Sequence, residues 1–120
     1  MKKLNVVFLG TPDFSVPSLE VLANHPDINI VSIITMPDRP AGRGQKLTSP
    51  PVAQFAKDKN IPLFQTENIN KENAFLEKLK SQDIDLFIVI AFAQFLKKEV
   101  LEIPKIGCFN IHTSLLPKYR

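Results

Sequence analysis

Cysteine is almost missing from this chain: Cys108 is the one such residue among 120. That excludes an internal disulfide and any metal site assembled from several thiolates. Lying in the apolar pattern Cys108-Phe109-Asn110-Ile111, it reads as a small buried residue rather than a nucleophile. Long hydrophobic runs are missing as well. Lys2 and Lys3 are followed by only six residues before Gly10, too few for a signal-peptide core, and no apolar run approaches the roughly 20 residues of a membrane span. A cytoplasmic protein with no membrane partner is expected. Excess charge is small: a formal net charge of +3 does not by itself imply a nucleic-acid partner, which only local clustering of cations could do. Glycine is missing where a dinucleotide fold needs it. Gly10 is followed by Thr11, Pro12, Asp13 and Phe14, so the G-x-G-x-x-G fingerprint is absent and dinucleotide binding is not expected. The balance of 44% hydrophobic and 22% charged residues implies no disorder and suits one soluble domain with a core.

What the chain does contain is an alternation of apolar runs and amphipathic stretches. Leu4 to Leu9 reads as a buried strand closed by Gly10-Thr11-Pro12. Ser15 and Pro17 mark a helix start, with Leu19, Leu22 and Ala23 on one face until Asn24-His25-Pro26 ends it. His25, at that turn, reads as structurally neutral. Ile28 to Thr35 is a second strand, β-branched and mostly apolar, and strand, helix, strand implies a right-handed crossover. Val52 to Asn60 is a short helix striped by Val52, Phe55 and Ala56, and Ile61 to Phe64 a brief strand that Pro62 assigns to a sheet edge. Asn70 reads as the cap of a helix reaching about Gln82, with Phe75, Leu76 and Leu79 inward and Lys71, Glu72, Glu77, Lys78 and Lys80 outward. Ile84 to Ala91 is the most hydrophobic strand and is expected at the centre of the sheet. Lys98 to Leu101 forms at most a short helix, ended near Pro104, before Gly107 opens a last strand. The expected fold is α/β: a Rossmann-like, open, mostly parallel sheet with helices on both faces.

Between Met36 and Pro51 the periodicity stops, with four prolines and two glycines. Connections in α/β units usually span about two to six residues, so a long loop is expected here. From Arg39 to Lys46 it carries three cations, Arg39, Arg43 and Lys46, and no acid. That composition fits a solvated insertion, and it fits a flexible basic arm for a phosphate-rich partner. Near the end of the chain, Cys108 to His112 alternates like a strand, with Phe109 and Ile111 on one face and Asn110 and His112 on the other. Ligands in open α/β sheets bind at the carboxyl ends of strands. An amide there can stabilise a carbonyl oxygen that gains charge, and an imidazole can move a proton near neutral pH, which together suit acyl transfer. An isolated Asn-x-His also fits a turn cap and a satisfied imidazole. Phe92-Ala93-Gln94-Phe95-Leu96 leaves the preceding strand at the same edge and reads either as ordinary core or as a wall of that site.

The whole string from Asn110 to Arg120, Asn-Ile-His-Thr-Ser-Leu-Leu-Pro-Lys-Tyr-Arg, resembles the signature of the folate-dependent formyltransferases, Asn-[ILV]-His-x-Ser-Leu-Leu-Pro-x-[WY]-Arg. The resemblance implies that Asn110 and His112 are catalytic, that Ser114, Leu115, Leu116 and Pro117 border the folate, and that Phe92, Gln94 and Leu96 contact it in a turn working largely through backbone groups. The chain departs from the family pattern at Ala93, where glycine is common; a positive φ there would strain an alanine. Pro37-Asp38-Arg39-Pro40-Ala41-Gly42-Arg43-Gly44, followed by Lys46-Leu47, resembles the loop that family members acting on the initiator tRNA use to engage its acceptor arm. Arg43 is then the expected main tRNA contact, with Arg39 and Lys46 lesser ones. With Gly-Thr-Pro-Asp-Phe at 10 to 14, the similarity runs the length of the chain.

The implied reaction moves a formyl group from 10-formyltetrahydrofolate to the amino group of methionine on the initiator tRNA, without a metal. Residues 1–120 would be the N-terminal part of the catalytic domain of a monomeric enzyme. An aspartate that orients the histidine, the last strands and the C-terminal tRNA-binding domain would lie beyond Arg120, leaving the segment by itself with little or no activity. A nucleotide-sugar formyltransferase and a non-catalytic folate- or RNA-binding module are the alternative readings.

Overall fold

The computed structural model describes residues 3–10, 16–41, 46–48, 50–90, 92 and 94–111. Five parallel strands form one sheet in the order β5-β2-β1-β6-β7: β1 is Leu4–Gly10, β2 Ile28–Thr35, β5 Leu63–Gln65, β6 Leu86–Ile90 and β7 Gly107–Ile111. Helices α1 (Val16–Asn24), α2 (Pro51–Asp58), α3 (Asn73–Lys80) and α4 (Lys98–Leu101) connect them. Alternation along the strands sends Phe8, Ile33 and Ile90 to one face, where they pack with Leu19 of α1 and with Val52, Phe55 and Ala56 of α2. Val7, Leu9, Ile34, Phe87 and Val89 go to the other, against Leu76 and Leu79 of α3 and Val100 of α4. The result is the expected α/β/α sandwich. Fully burying side chains such as Phe8 and Phe87 contributes about 1.5–3 kcal/mol each.

Helix starts and stops follow local chemistry. Pro17 and Pro51 stand in the first turns of α1 and α2, where the missing N–H is no loss. Asn60, two residues past α2, adopts φ 58°, a left-handed turn that asparagine tolerates. Lys57 closes α2, and Lys78 and Lys80 close α3, opposite the negative end of each helix dipole.

Five details differ from the sequence expectation. Asn70 is not a helix cap: Asn68 caps a 3-10 turn at Ile69–Lys71 by accepting from the Asn70 amide, and α3 begins only at Asn73. Glu72, expected outward, instead accepts the Thr66 hydroxyl. The central strand is β1, because β6 and β2 flank it; β6 is interior but off-centre. The stretch after β2 is not wholly irregular either, for Arg39–Ala41 (β3) and Lys46–Thr48 (β4) pair as an antiparallel ribbon. Pro40 biases Arg39 to extended backbone, and a free two-stranded ribbon tolerates a proline that a central strand would not. His25 also has a use, its Nδ1 accepting from the Asp27 amide at 3.0 Å. By contrast, β5 is an edge strand as expected, although it begins after Pro62, whose carbonyl accepts from the Ile33 amide.

Two contacts fix how β1 meets β6. At the amino end the Asp85 carboxylate accepts from the Asn5 amide at 2.8 Å, while the Asp85 amide donates to the Asn5 carbonyl at 2.8 Å. Lys105 bridges Asp83 at 2.7 Å and Asp85 at 3.5 Å; its bond to Asp83 leads the effects that hold its pKa above the usual lysine value. At the carboxyl end Gly10 pairs with Ile90, and a Cβ on Gly10 would lie 2.9 Å from the Ile90 carbonyl oxygen and 3.0 Å from the Phe8 ring. Neither neighbour is the loose end of a flexible chain. Gly10→Ala should therefore cost about 1–3 kcal/mol of stability through overpacking, read as a lower midpoint in urea denaturation; an unchanged midpoint would show that the strand pair opens freely there.

Cys108 packs against the α3 face of the core, and burial pushes its thiol pKa up. Folding thus favours the neutral thiol, a contribution complete below the unfolded thiol pKa and lost as pH rises through the folded value. Because no other cysteine competes, alkylation by iodoacetamide should show its half-maximal rate at higher pH in the folded chain than in urea. A folded midpoint at or below the unfolded one would mark Cys108 as an activated nucleophile.

Candidate active site

The sheet reverses its winding between β1 and β6. From β1 the chain moves outward through β2 to β5, then returns to β6 on the other side and continues to β7. Loops leaving the carboxyl ends on either side of such a switch point diverge and leave a crevice. Asn110 lies at this end of β7, opposite Val89 of β6. Neighbours in register on parallel strands share a face, and Val89 belongs to the α3 face. Asn110 and Cys108 accordingly point to that side, and Phe109 and Ile111 to the other, where they are 55% and 47% exposed. This is the alternation expected for Asn110 against its apolar neighbours.

A cavity of about 310 Å³ opens in front of Asn110, lined also by Val89, Phe92, Gln94, Phe95, Leu96, Leu101 and Cys108. All three turn residues expected at the folate site, Phe92, Gln94 and Leu96, therefore share one cavity with the expected catalytic amide. Among the described residues no hydrogen-bond partner engages the Asn110 carboxamide, so its donors are available to a ligand. The walls are mainly apolar, with the amide at one side, a common make-up for small-molecule sites of about 300–1,000 Å³.

His112, Ser114, Leu115, Leu116, Pro117 and Arg43 lie outside the described residues, as does Ala93. Arg39 and Lys46 occupy the two arms of the β3–β4 ribbon, Arg39 opposite Thr48 and Lys46 opposite Ala41. The ribbon is rooted at the same sheet edge as the cavity. Just before it, the Gln65 carboxamide donates to the Met36 carbonyl at 3.2 Å and to the Asp38 carboxylate at 2.9 Å, tying the end of β5 to the start of the arm.

Residues that the sequence pattern did not single out hold the cavity together. Thr66, 5% exposed, donates to Glu72 and accepts from the Asn68 amide at 3.1 Å. Its carbonyl accepts from the Gln94 carboxamide at 2.6 Å. Cys108 was foreseeable as a lining residue, since it precedes Asn110 by two on the same strand; the Gln94 bond to the Thr66 carbonyl, made across the fold, carries no local signal.

Among the described residues no helix is long and apolar enough to cross a membrane, and no group of three or more His, Cys, Asp and Glu side chains could hold a metal ion. Comparison with known proteins gives a consistent family. The family model described as formyl transferase matches residues 2–120. Methionyl-tRNA formyltransferase of Clostridium novyi is 50% identical over 117 residues, covering 98% of this chain and 37% of that protein. The enzyme of the same name from Synechocystis sp. is 47% identical over 98% of this chain and 36% of its own length. This chain thus spans little more than a third of the curated relatives it matches. Crystal structures of phosphoribosylglycinamide formyltransferase from Anaplasma phagocytophilum (TM-score 0.69, 23% identity, 99% of this chain and 54% of that one) and glycinamide ribonucleotide transformylase 1 from Geobacillus kaustophilus (0.65, 21%, 100% and 63%) share its fold. With the family model matched from residue 2 to residue 120 over a parallel sheet of the same architecture, the chain belongs to the formyl transferase family.

Proposed function

We propose that this chain is the N-terminal part of the formyl-transferring domain of an enzyme that formylates the amino group of methionine on the initiator tRNA, with 10-formyltetrahydrofolate as donor. The observation that carries the reading is the shared cavity: Asn110 faces the turn residues Phe92, Gln94 and Leu96 across it, at the carboxyl edge of the sheet. The relatives named above, both methionyl-tRNA formyltransferases, support this choice of acceptor, and so does the cationic ribbon rooted beside the cavity. A soluble enzyme of the cytoplasm is the corresponding setting.

In the reaction the methionyl amine attacks the formyl carbon, forming a carbon–nitrogen bond and a tetrahedral oxyanion. Asn110 donates an N–H to that oxygen, where charge develops. His112 accepts the proton released by the attacking nitrogen and delivers it to the folate nitrogen as that bond breaks, giving formylated methionyl-tRNA and tetrahydrofolate. Ser114, Leu115, Leu116 and Pro117 border the folate beside Phe92, Gln94 and Leu96. Phe92 and Leu96 supply apolar surface against the reduced pterin and keep water from the oxyanion, which strengthens the Asn110 hydrogen bond. Arg43, with Arg39 and Lys46, attracts the acceptor-arm phosphates and steers the aminoacyl end inward.

Asn110→Ala in the full-length protein should lower kcat by about 10²–10³, the usual effect of losing one oxyanion donor, with folding intact by circular dichroism. Turnover near the parent value would remove Asn110 from the mechanism. Arg43→Ala should raise KM for methionyl-tRNA about tenfold and flatten its salt dependence, because one phosphate contact is lost. An unchanged tRNA KM, together with turnover on a nucleotide sugar, would favour a sugar formyltransferase instead.

A further inference from the structure

The turn from Phe92 to Lys97 joins the end of β6 to α4 and supplies Phe92, Gln94, Phe95 and Leu96 to the cavity. Its described residues belong to no strand or helix, so the backbone ladder does not set its shape and bonds from elsewhere must. Two carboxamides provide them, one from each side. The Gln94 Oε1 accepts from the Ile69 amide at 2.7 Å, and its Nε2 donates to the Thr66 carbonyl at 2.6 Å and to Met36 Sδ at 3.1 Å. Asn70 works in the opposite direction. Its Nδ2 donates to the Phe95 carbonyl at 2.7 Å, and its Oδ1 accepts from the Lys97 amide at 2.9 Å. Asn70 is itself held, because the Asn68 Oδ1 accepts from both its backbone amide and its Nδ2, at 3.1 and 3.0 Å.

Each carboxamide thus spends a donor and its acceptor on the other's segment. An apolar side chain at Gln94 would leave the Ile69 amide and the Thr66 carbonyl without these part-buried bonds, and one at Asn70 would release the Phe95 carbonyl and the Lys97 amide to water, so in either case the turn loses a tie that sets its course. Phe92, Phe95 and Leu96 move with that backbone.

Resting on the formyl-transfer reading above, we propose that Gln94 and Asn70 are positioning residues, a reciprocal pair of carboxamide clamps that sets the wall of the cavity to the shape of a reduced folate. They act through Phe92, Phe95 and Leu96 and not on the reacting atoms. Through Met36, which Gln94 also touches, the clamp reaches the segment on which the basic ribbon is rooted.

The test uses the full-length protein with tetrahydrofolate as the binding probe, measured by calorimetry beside steady-state kinetics. Gln94→Leu and Asn70→Ala should each raise the Kd for tetrahydrofolate and KM for the formyl donor up to about tenfold, the cost of one or two lost hydrogen bonds. Their kcat at saturating donor should fall less than about threefold, because the oxyanion donor is untouched. Gln94→Glu supplies a readout that general loss of structure would not produce. As a carboxylate it can accept from Ile69 but repels the Thr66 carbonyl; once protonated it can do both. Its tetrahydrofolate affinity should therefore be weak near about pH 8 and recover towards the parent value as pH falls to about 5, while the parent changes less.

Parent-like tetrahydrofolate affinity in a folded Gln94→Leu or Asn70→Ala protein overturns the proposal. If those two variants do not fold, Gln94→Glu decides alone: a binding profile parallel to the parent's across that pH range also overturns it. A parent that binds no reduced folate would overturn the formyl-transfer reading and this proposal together, whereas a parent that binds beside variants that bind equally well would overturn the clamp only.

Discussion

The parallel contact of β1 with β6 is the constraint from which the rest of the arrangement follows. It is made by strands that the chain visits far apart, Val6 to Gly10 against Leu86 to Ile90, so no short turn sets its register and both ends must be specified. Buried Asp85, whose carboxylate and backbone both bond Asn5, pins the amino end. A carboxylate in that setting is tolerable because its lone pairs are used by an amide and an ammonium. At the other end Gly10 lets the Ile90 carbonyl approach where a Cβ would collide. With both ends set, β6 is held in register, β7 follows it residue for residue, and Asn110 arrives opposite Val89.

Much of this could be read from residue patterns because it depends on local periodicity. Leu4 to Gly10 and Ile28 to Thr35 lie where their apolar runs put them, and the strand opened by Gly107 where its alternation does. The edge position of β5 agrees with the hint from Pro62, although the proline precedes the strand instead of interrupting it. What was not readable depends on strand order. Ile84 to Ile90 is the most apolar segment, yet burial on both faces is equally met by an interior position beside the centre, and hydrophobicity cannot tell the two apart. Asn70 misleads for a related reason. An asparagine before an amphipathic stretch has cap chemistry, but here Asn68 takes that role and releases Asn70 to bond across the fold.

The candidate site divides along the same line. Asn110 and its apolar neighbours separate by simple alternation, so their faces were legible. The stretch after Thr35 looked irregular because Pro and Gly dominate it, although Arg39–Ala41 and Lys46–Thr48 are each long enough for a short ribbon. A ribbon changes the physical picture of the cationic arm: paired backbone carries the cations in fixed register and so loses less conformational entropy when it meets phosphates than a coil of the same composition.

The polar groups around the cavity show why a fold of this kind can vary its loops and keep its chemistry. The carboxyl ends of β2, β5 and β6 carry no common secondary structure above the sheet, yet Gln65, Thr66, Asn70 and Gln94 cross-bond them through backbone atoms. Bonds to backbone constrain shape without requiring a particular side chain at the residue held. Phe92, Phe95 and Leu96 could therefore exchange with other apolar residues at modest cost while the wall kept its course. Changing a clamp has the reverse effect, altering few atoms in the cavity but the path of the whole turn. Specificity for the ligand then resides partly in residues such as Asn70, which does not line the cavity and is where a reading confined to that lining would not look.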